Sequence, residues 1–197
     1  MKRSVPKLFE YSIVLNLPGE ICWQLEDLKH DFGMRFGEYE DQFKRPLVPI
    51  VKTLLHVSDE QKLLNALRRI GTEVQDFDMN LQGFDFFEHS NTCFVDVENK
   101  APAINLHHIV TEQLYQENLI SKKALGDYVP HVAIGSQLTD SQYRNAYHEF
   151  TRKMFANYFR VNQLTVLTRR IDRYPWSHLT DVPLTGPWPY QPYRTAS

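Results

Sequence analysis

The sequence predicts an α+β protein in which two antiparallel-rich sheets with flanking helices surround a central cleft. Apolar residues follow strand and helix periods in turn, and the segments come in the order β-α-β-α-β-β-α-β-α-β. A strand that carries a histidine and is followed by a helix occurs twice in this order. With 42% hydrophobic and 13% aromatic residues, the chain of 197 residues has enough apolar side chains to bury a core.

The repeated unit predicts a single domain, residues 1–197, built from two pseudo-symmetric lobes. Neither half alone has the features of an independent domain, so we expect the lobes to pack about a pseudo-twofold axis. The segment 172–197 is predicted to be a C-terminal tail, because it is rich in proline and aromatic residues. One short strand is expected within it, near 176–179.

Turn and cap residues divide the first half of the chain into elements. Pro18-Gly19 ends the first strand, Gly33 ends the first helix, and Asp59 caps the second helix. Pro49 restricts its own strand to an edge or early position, because proline donates no ladder hydrogen bond. The predicted elements are a strand at 11–17, a helix at 20–33, a loop at 35–46, a strand at 47–57 and a helix at 60–70.

In the second half, alternating apolar and polar residues predict a hairpin with one face exposed to water, and helical spacing returns after Pro102. Thr139 or Asp140, with Gln142, is expected to cap the last helix. The predicted elements are strands at 74–87 and 92–97, a helix at 102–117, a loop at 118–130, a strand at 131–134, a helix at 141–158 and a strand at 159–171.

Charge and composition limit the classes of partner. The formal net charge of −2 gives no general attraction to nucleic acid, so a polyanion would have to meet a local cationic patch. Cys22 and Cys93 have no partner at metal-ligand spacing, and we expect two buried thiols in a reduced setting. The sequence has neither the apolar core of a signal peptide nor a membrane-spanning run. We therefore expect a cytoplasmic monomer that binds no membrane and no metal.

Two histidines lie in similar surroundings, 75 residues apart. Each stands in an apolar, β-prone run. Because side chains alternate along a strand, His56 shares a face with Ser58, and His131 shares a face with Ala133. Two such strands side by side would bring both imidazoles over one phosphate-sized cleft, with the Ser58 hydroxyl beside them. The alternative is that each histidine is a hydrogen-bonded polar group within a sheet.

These two motifs resemble the signature of the 2H phosphoesterase superfamily, which includes 2′-5′ RNA ligase-like proteins and cyclic nucleotide phosphodiesterases. That signature is a pair of His-x-Thr/Ser motifs on strands, and the resemblance covers residues 11–171. The triplet His56-Val57-Ser58 matches the first motif in full. The second triplet, His131-Val132-Ala133, matches in its histidine and its apolar setting.

The resemblance implies chemistry on a phosphodiester that uses neither a metal nor an organic cofactor. The reaction would open a 2′,3′-cyclic phosphate, or hydrolyse or form a 2′-5′ linkage, on a small phosphodiester or an RNA terminus. His56 and His131 would form the acid/base pair, since histidine, with an ordinary pKa of about 6.5, can serve in either role. Ser58 would donate a hydrogen bond to a non-bridging phosphate oxygen.

Ala133 lacks the hydroxyl of the usual second motif, and losing one such donor costs an enzyme about 2.7–4 kcal/mol of transition-state stabilisation. Three explanations stay open. The protein is a weakened hydrolase, or Lys122, Lys123 or Arg169 supplies the missing positive partner, or the cleft binds a nucleotide or RNA end with little turnover. A hydrolase or ligase acting on a different small phosphodiester is a further alternative.

Overall fold

The computed structural model describes residues 7–171 and 175–187, and these ranges contain four α-helices and eight β-strands. The strands are β1 (Leu8–Asn16), β2 (Leu47–His56), β3 (Phe77–Phe87), β4 (Thr92–Val97), β5 (His131–Gly135), β6 (Ala156–Val161), β7 (Gln163–Arg170) and β8 (Ser177–Pro183). The helices are α1 (Gly19–Phe36), α2 (Glu60–Glu73), α3 (Lys100–Gln116) and α4 (Asp140–Phe150). Short 3₁₀ turns occupy Val57–Asp59, Glu88–Ser90 and Lys122–Leu125.

The strands of the described ranges form two antiparallel sheets of four strands each. The first sheet has the order β2-β1-β7-β8, and the second has the order β5-β4-β3-β6. β2 and β5 are edge strands of their sheets and lie beside each other. The predicted α+β class with two antiparallel sheets is confirmed.

Each sheet is built on one copy of a β-α-β-α unit. The first copy is β1, α1, β2 and α2, and the second is β4, α3, β5 and α4. β7 and β8 complete the first sheet, and β3 and β6 complete the second. The histidine strand followed by a helix is therefore part of a longer repeat than the sequence indicated.

The helices join the two copies of the unit. In α2 the apolar residues recur at helical spacing, and Leu63, Leu67 and Ile70 are completely buried. A capping box starts α4, because the Thr139 hydroxyl accepts from the Gln142 N–H and the Gln142 side chain accepts from the Thr139 N–H. α3 contacts β2, and α1 contacts β5. Each copy thus places a helix against the edge strand of the other.

The last part of the chain differs from the prediction. The helix predicted at 141–158 ends at Phe150, and the strand predicted at 159–171 is two strands, β6 and β7. β6 pairs with β3 in the second sheet, whereas β7 pairs with β1 in the first. Exposure alternates along 156–161, which is a strand period, and the predicted helix extended over the first three of these residues.

The strand predicted within the tail is present as β8 and is longer than expected. Residues 172–174 and 188–197 of the predicted tail lie outside the described residues. The chain after β8 packs closely on the end of α2, where the Thr185 N–H donates to the Gly71 carbonyl oxygen at 2.7 Å. A Cβ atom at Gly71 would collide with the Pro183 carbonyl oxygen, so this approach requires glycine.

Candidate functional site

His131 opens β5 on the edge of the second sheet that faces β2. Its Nδ1 atom lies 2.7 Å from the carbonyl oxygen of Val129. Because a carbonyl can only accept, Nδ1 carries the proton and donates, and the unprotonated nitrogen of the neutral ring is Nε2. The backbone therefore fixes the tautomer and presents Nε2 as a proton acceptor.

Aromatic rings surround the His131 imidazole. Phe87 and Phe94 lie edge-on to it, with ring centroids at 5.3 and 5.1 Å, and they stack on each other at 4.2 Å. Burial among them lowers the pKa of His131, although Val129 and the nearby Asp96 carboxylate favour the charged form. The ring is consequently neutral at pH 7 over an apolar floor.

His56 is the last residue of β2, where it pairs with Leu8 at the start of β1. Its Nδ1 atom lies 2.8 Å from the Ser58 Oγ atom and accepts a hydrogen bond from the Ser58 N–H at 3.3 Å. The imidazole thus caps the 3₁₀ turn that follows β2. His56 and Ser58, which were predicted to be neighbours, are therefore hydrogen-bonded to each other.

The ladders of the edge strands show which residues of the two lobes are equivalent. Leu47 pairs at the end of β1, and His131 pairs at the corresponding end of β4. Each ladder then skips one residue, Ile50 in the first sheet and Ile134 in the second. In the first sheet the successive pairs are Asn16 with Leu47, Leu15 with Val48, Val14 with Pro49 and Ile13 with Val51. In the second sheet they are Asp96 with His131, Val95 with Val132, Phe94 with Ala133 and Cys93 with Gly135.

Exposure along the two segments agrees with this alignment. Residues 44–51 and 128–135 share one order of exposed, half-buried and buried positions, without a difference over eight residues. The sequence carries the same repeat as Pro-x-Val-x-Ile, at 46–50 and at 130–134. Leu47 therefore occupies the place of His131, and Pro49 the place of Ala133.

This register separates the two histidines. Beside β5, the Tyr128 hydroxyl donates to the Pro49 carbonyl oxygen at 2.9 Å, and the Ser136 N–H donates to the Asp41 carboxylate at 2.8 Å. His131 lies between these contacts, against the beginning of β2. His56 stands nine residues beyond Leu47, roughly 30 Å along an extended strand. The geometry does not support the prediction that both imidazoles share one cleft.

The predicted cationic residues lie in two places. Lys122 and Lys123 are exposed on the 3₁₀ turn that precedes β5, nine and eight residues before His131. Arg169 lies on β7, where it forms an ion pair with Glu10 and stacks over the Trp176 ring at 4.5 Å. Its strand position is at the His56 end of the first sheet.

Sequence reasoning missed Leu47, Pro49 and the aromatic floor of Phe87 and Phe94. The Pro-x-Val-x-Ile repeat was the available signal for the first two residues, since it aligns 46–50 with 130–134. The floor had no comparable signal, because it depends on how β3 and β4 pair.

Within residues 7–171 and 175–187, no group of three His, Cys, Asp or Glu side chains is arranged to hold a metal ion. The same part of the chain contains no helix with both the length and the apolar character that a membrane crossing requires.

A family model described as the 2′-5′ RNA ligase superfamily matches residues 18–173. Escherichia coli LigT complexed with 3′-AMP is similar in structure, with a TM-score of 0.69 at 14% identity over 91% of this chain and 98% of LigT. TT0787 of Thermus thermophilus has a TM-score of 0.70 at 13% identity, over 91% of this chain and 100% of TT0787. Kluyveromyces marxianus Usb1 with uridine monophosphate has a TM-score of 0.50 at 15% identity, over 89% of this chain and 98% of Usb1. No curated protein matches the sequence.

Proposed function

Because the chain belongs to the 2′-5′ RNA ligase superfamily, we propose that it binds a nucleotide or RNA end through a phosphate beside His131. We further propose that it turns this ligand over weakly or not at all. The observation that carries both statements is the register within each sheet, which puts His131 of the second lobe and Leu47 of the first at equivalent positions.

Binding is supported by the surroundings of His131. The Nε2 atom is free of the Val129 contact, so it can receive a proton and then donate to a phosphate oxygen. The half-buried Phe87 supplies an apolar surface of the kind on which a base or ribose packs, and the buried Phe94 ring stacks on it. Lys122 and Lys123 are the proposed cationic contacts, since they are exposed on the segment leading into β5. LigT with 3′-AMP and Usb1 with uridine monophosphate have this fold.

Weak turnover is supported by what the first lobe lacks. Cleavage of a phosphodiester needs one group to take a proton and another to give one. His131 can take a proton at Nε2, but Leu47 has none to give, and neither Pro49 nor Ala133 has a hydroxyl. Losing one acid/base partner costs a reaction about 10²–10⁴-fold in rate, and a missing hydrogen-bond donor removes about 10²–10³ more.

The competing function is the two-histidine phosphodiesterase that the resemblance implies, with His56 as the acid. One observation favours it, because His56 accepts at Nδ1 and therefore carries its proton on Nε2 when neutral. That mechanism requires His56 and His131 to reach the same phosphate.

An assay with 2′,3′-cyclic AMP separates the two functions. Turnover and equilibrium binding are measured for the wild type, for His131→Ala and for His56→Ala as the matched histidine control. We expect saturable binding, little or no turnover, a loss of affinity of about tenfold in His131→Ala, and affinity within about twofold of wild type in His56→Ala.

Rapid turnover that both substitutions abolish would establish the two-histidine enzyme and end the present proposal. Absence of binding to 2′,3′-cyclic AMP, to 3′-AMP and to a 2′-5′ linked dinucleotide would contradict both functions.

A further inference from the structure

A second concave site lies between α1 and the loop that joins it to β2. It is an open depression with a volume of about 400 Å³, lined by Trp23, Glu26, Asp27, His30, Gln42 and Phe43. None of these residues is among those described above around His131. The volume lies in the range of sites that hold a small molecule or a single large side chain.

The lining is acidic and aromatic. Trp23 and Asp27 are four residues apart on α1, so they share one exposed face of the helix, and Glu26 lies beside them. Trp23 is 66% exposed and Phe43 is 76% exposed, which is unusual for side chains of this size. No lysine or arginine is among the described residues that line the site.

Gln42 also lines the site, and its amide is packed against α1. Its side chain is 3% exposed, and its Oε1 atom has no hydrogen-bond partner among the described residues. The amide packs so closely on Gly33 that a Cβ atom there would collide with it. The absence of a side chain at position 33 therefore makes room for the buried amide.

A nearby positive charge is already engaged. Lys29 is buried under the site, and its Nζ atom donates to the Lys44 carbonyl oxygen at 2.5 Å. The negative charge of the Asp41 carboxylate stabilises the positive charge of Lys29. Lys44 in turn forms an ion pair with Asp41 at 2.8 Å. The Glu26 carboxylate also stabilises the Lys29 charge, and both Glu26 and Asp27 line the site.

From these observations we infer that the site binds the arginine side chain of a partner polypeptide. A guanidinium is planar, so it stacks on the exposed rings of Trp23 and Phe43. Its N–H groups form charge-assisted hydrogen bonds with the carboxylates of Glu26 and Asp27. Lysine has neither the flat face nor this number of donors.

The inference is tested on the whole chain with three peptides, Ac-Gly-X-Gly-NH₂, in which X is arginine, citrulline or lysine. Citrulline keeps the shape of arginine without its charge. Binding is followed by NMR at the Trp23 indole N–H and along α1. We expect saturable shifts with arginine at about millimolar concentration, and affinity about tenfold weaker for citrulline and lysine.

Substitutions test whether the arginine peptide binds at this site. The double substitution Glu26→Gln/Asp27→Asn is expected to weaken the arginine peptide about tenfold, and Trp23→Ala to weaken it to a similar extent. Glu20→Gln is the matched control, because Glu20 is an exposed acid on α1 that does not line the site. Its affinity should stay within about twofold of wild type.

Equal binding of arginine and citrulline would overturn the inference, as would equal binding of arginine and lysine. So would the absence of saturable shifts up to about 20 mM peptide, a concentration well above the expected dissociation constant. Binding of 2′,3′-cyclic AMP is measured on the same samples. Its presence or absence leaves this inference unchanged, so the two proposals fail separately.

Discussion

The segments 47–49 and 131–133 occupy the same place in two copies of one unit, and they differ in chemistry. Both begin an edge strand after a buried proline, and both pair with the strand that precedes a helix. One presents His131 and the other presents Leu47. The comparison teaches that both copies bury a valine in the core, Val48 and Val132, whereas the outward side chains beside these valines differ.

The largest expected effect comes from restoring the missing groups. Leu47→His, Pro49→Thr and Ala133→Thr together should raise the turnover of 2′,3′-cyclic AMP about 10²-fold or more, because they supply a second imidazole and two hydroxyl donors. The rate is measured by product formation under saturating substrate. Adding His131→Ala should abolish the gain. A triple variant that binds the substrate without any gain would show that the symmetric positions do not face one phosphate.

The second effect concerns the residue that supports the entrance to β5. His107 is buried on α3, its ring stacks on Tyr128 at 4.3 Å, and burial lowers its pKa to about 4. Between pH 6.5 and 4 the unfolded chain binds a proton at this residue that the folded chain does not. Stability should therefore fall as the pH falls through this window, by up to about 3 kcal/mol from His107.

Replacing His107 with phenylalanine keeps the stacking and removes the titration. Urea unfolding at pH 7 and pH 4 should show a smaller loss of stability on acidification in His107→Phe than in wild type. His148→Phe is the control, because His148 is an exposed histidine on a different helix, α4. An unchanged pH dependence in His107→Phe would show that the buried ring is not the cause.

A smaller effect is expected on ligand binding. Burial lowers the pKa of His131, so the free protein holds this ring neutral at pH 7. A bound phosphodiester favours the protonated ring, and its affinity should rise as the pH falls toward 5, by at most about tenfold per pH unit. The ligand 2′,3′-cyclic AMP suits this titration because its phosphodiester charge stays constant. His131→Gln should give a flat profile, and a slope that persists in that variant would exclude His131 as its source.

The smallest effect comes from the contact between the lobes. The Tyr128 hydroxyl donates to the Pro49 carbonyl oxygen at 2.9 Å. Tyr128→Phe should lower the free energy of unfolding by about 1 kcal/mol, since it removes one half-buried hydrogen bond. Tyr115→Phe, at an exposed position on α3, should change it by less than about 0.5 kcal/mol. Equal losses in both variants would remove the assigned role of this contact.

The fold was predictable from local patterns, and the site was predictable only in part. Strand alternation and helical stripes indicated the two antiparallel sheets, and His131 opens β5, the strand on which the second motif was predicted. His56 was selected because a histidine, a spacer and a serine follow an apolar run. Its strand position depends on where β2 begins against β1, and that register comes from long-range pairing.

The segment 141–171 shows the same limit. Its aromatic residues fit a helix almost as well as a strand, and only the partners decide between them. β6 pairs with β3, and β7 pairs with β1, at sequence distances that a local pattern does not contain. Gln42 is a similar case, since its burial depends on the contact with Gly33.

The order of strands has a consequence for biosynthesis. The second sheet is made from one continuous stretch, 77–161, whereas the first joins strands from both ends of the chain. β1 lacks one of its two neighbours until β7 is synthesised, and Phe9 pairs with Arg170. On the ribosome the second sheet can assemble first. Until β7 is made, β1 has an unpaired edge, which is a site for association with chaperones or other nascent chains.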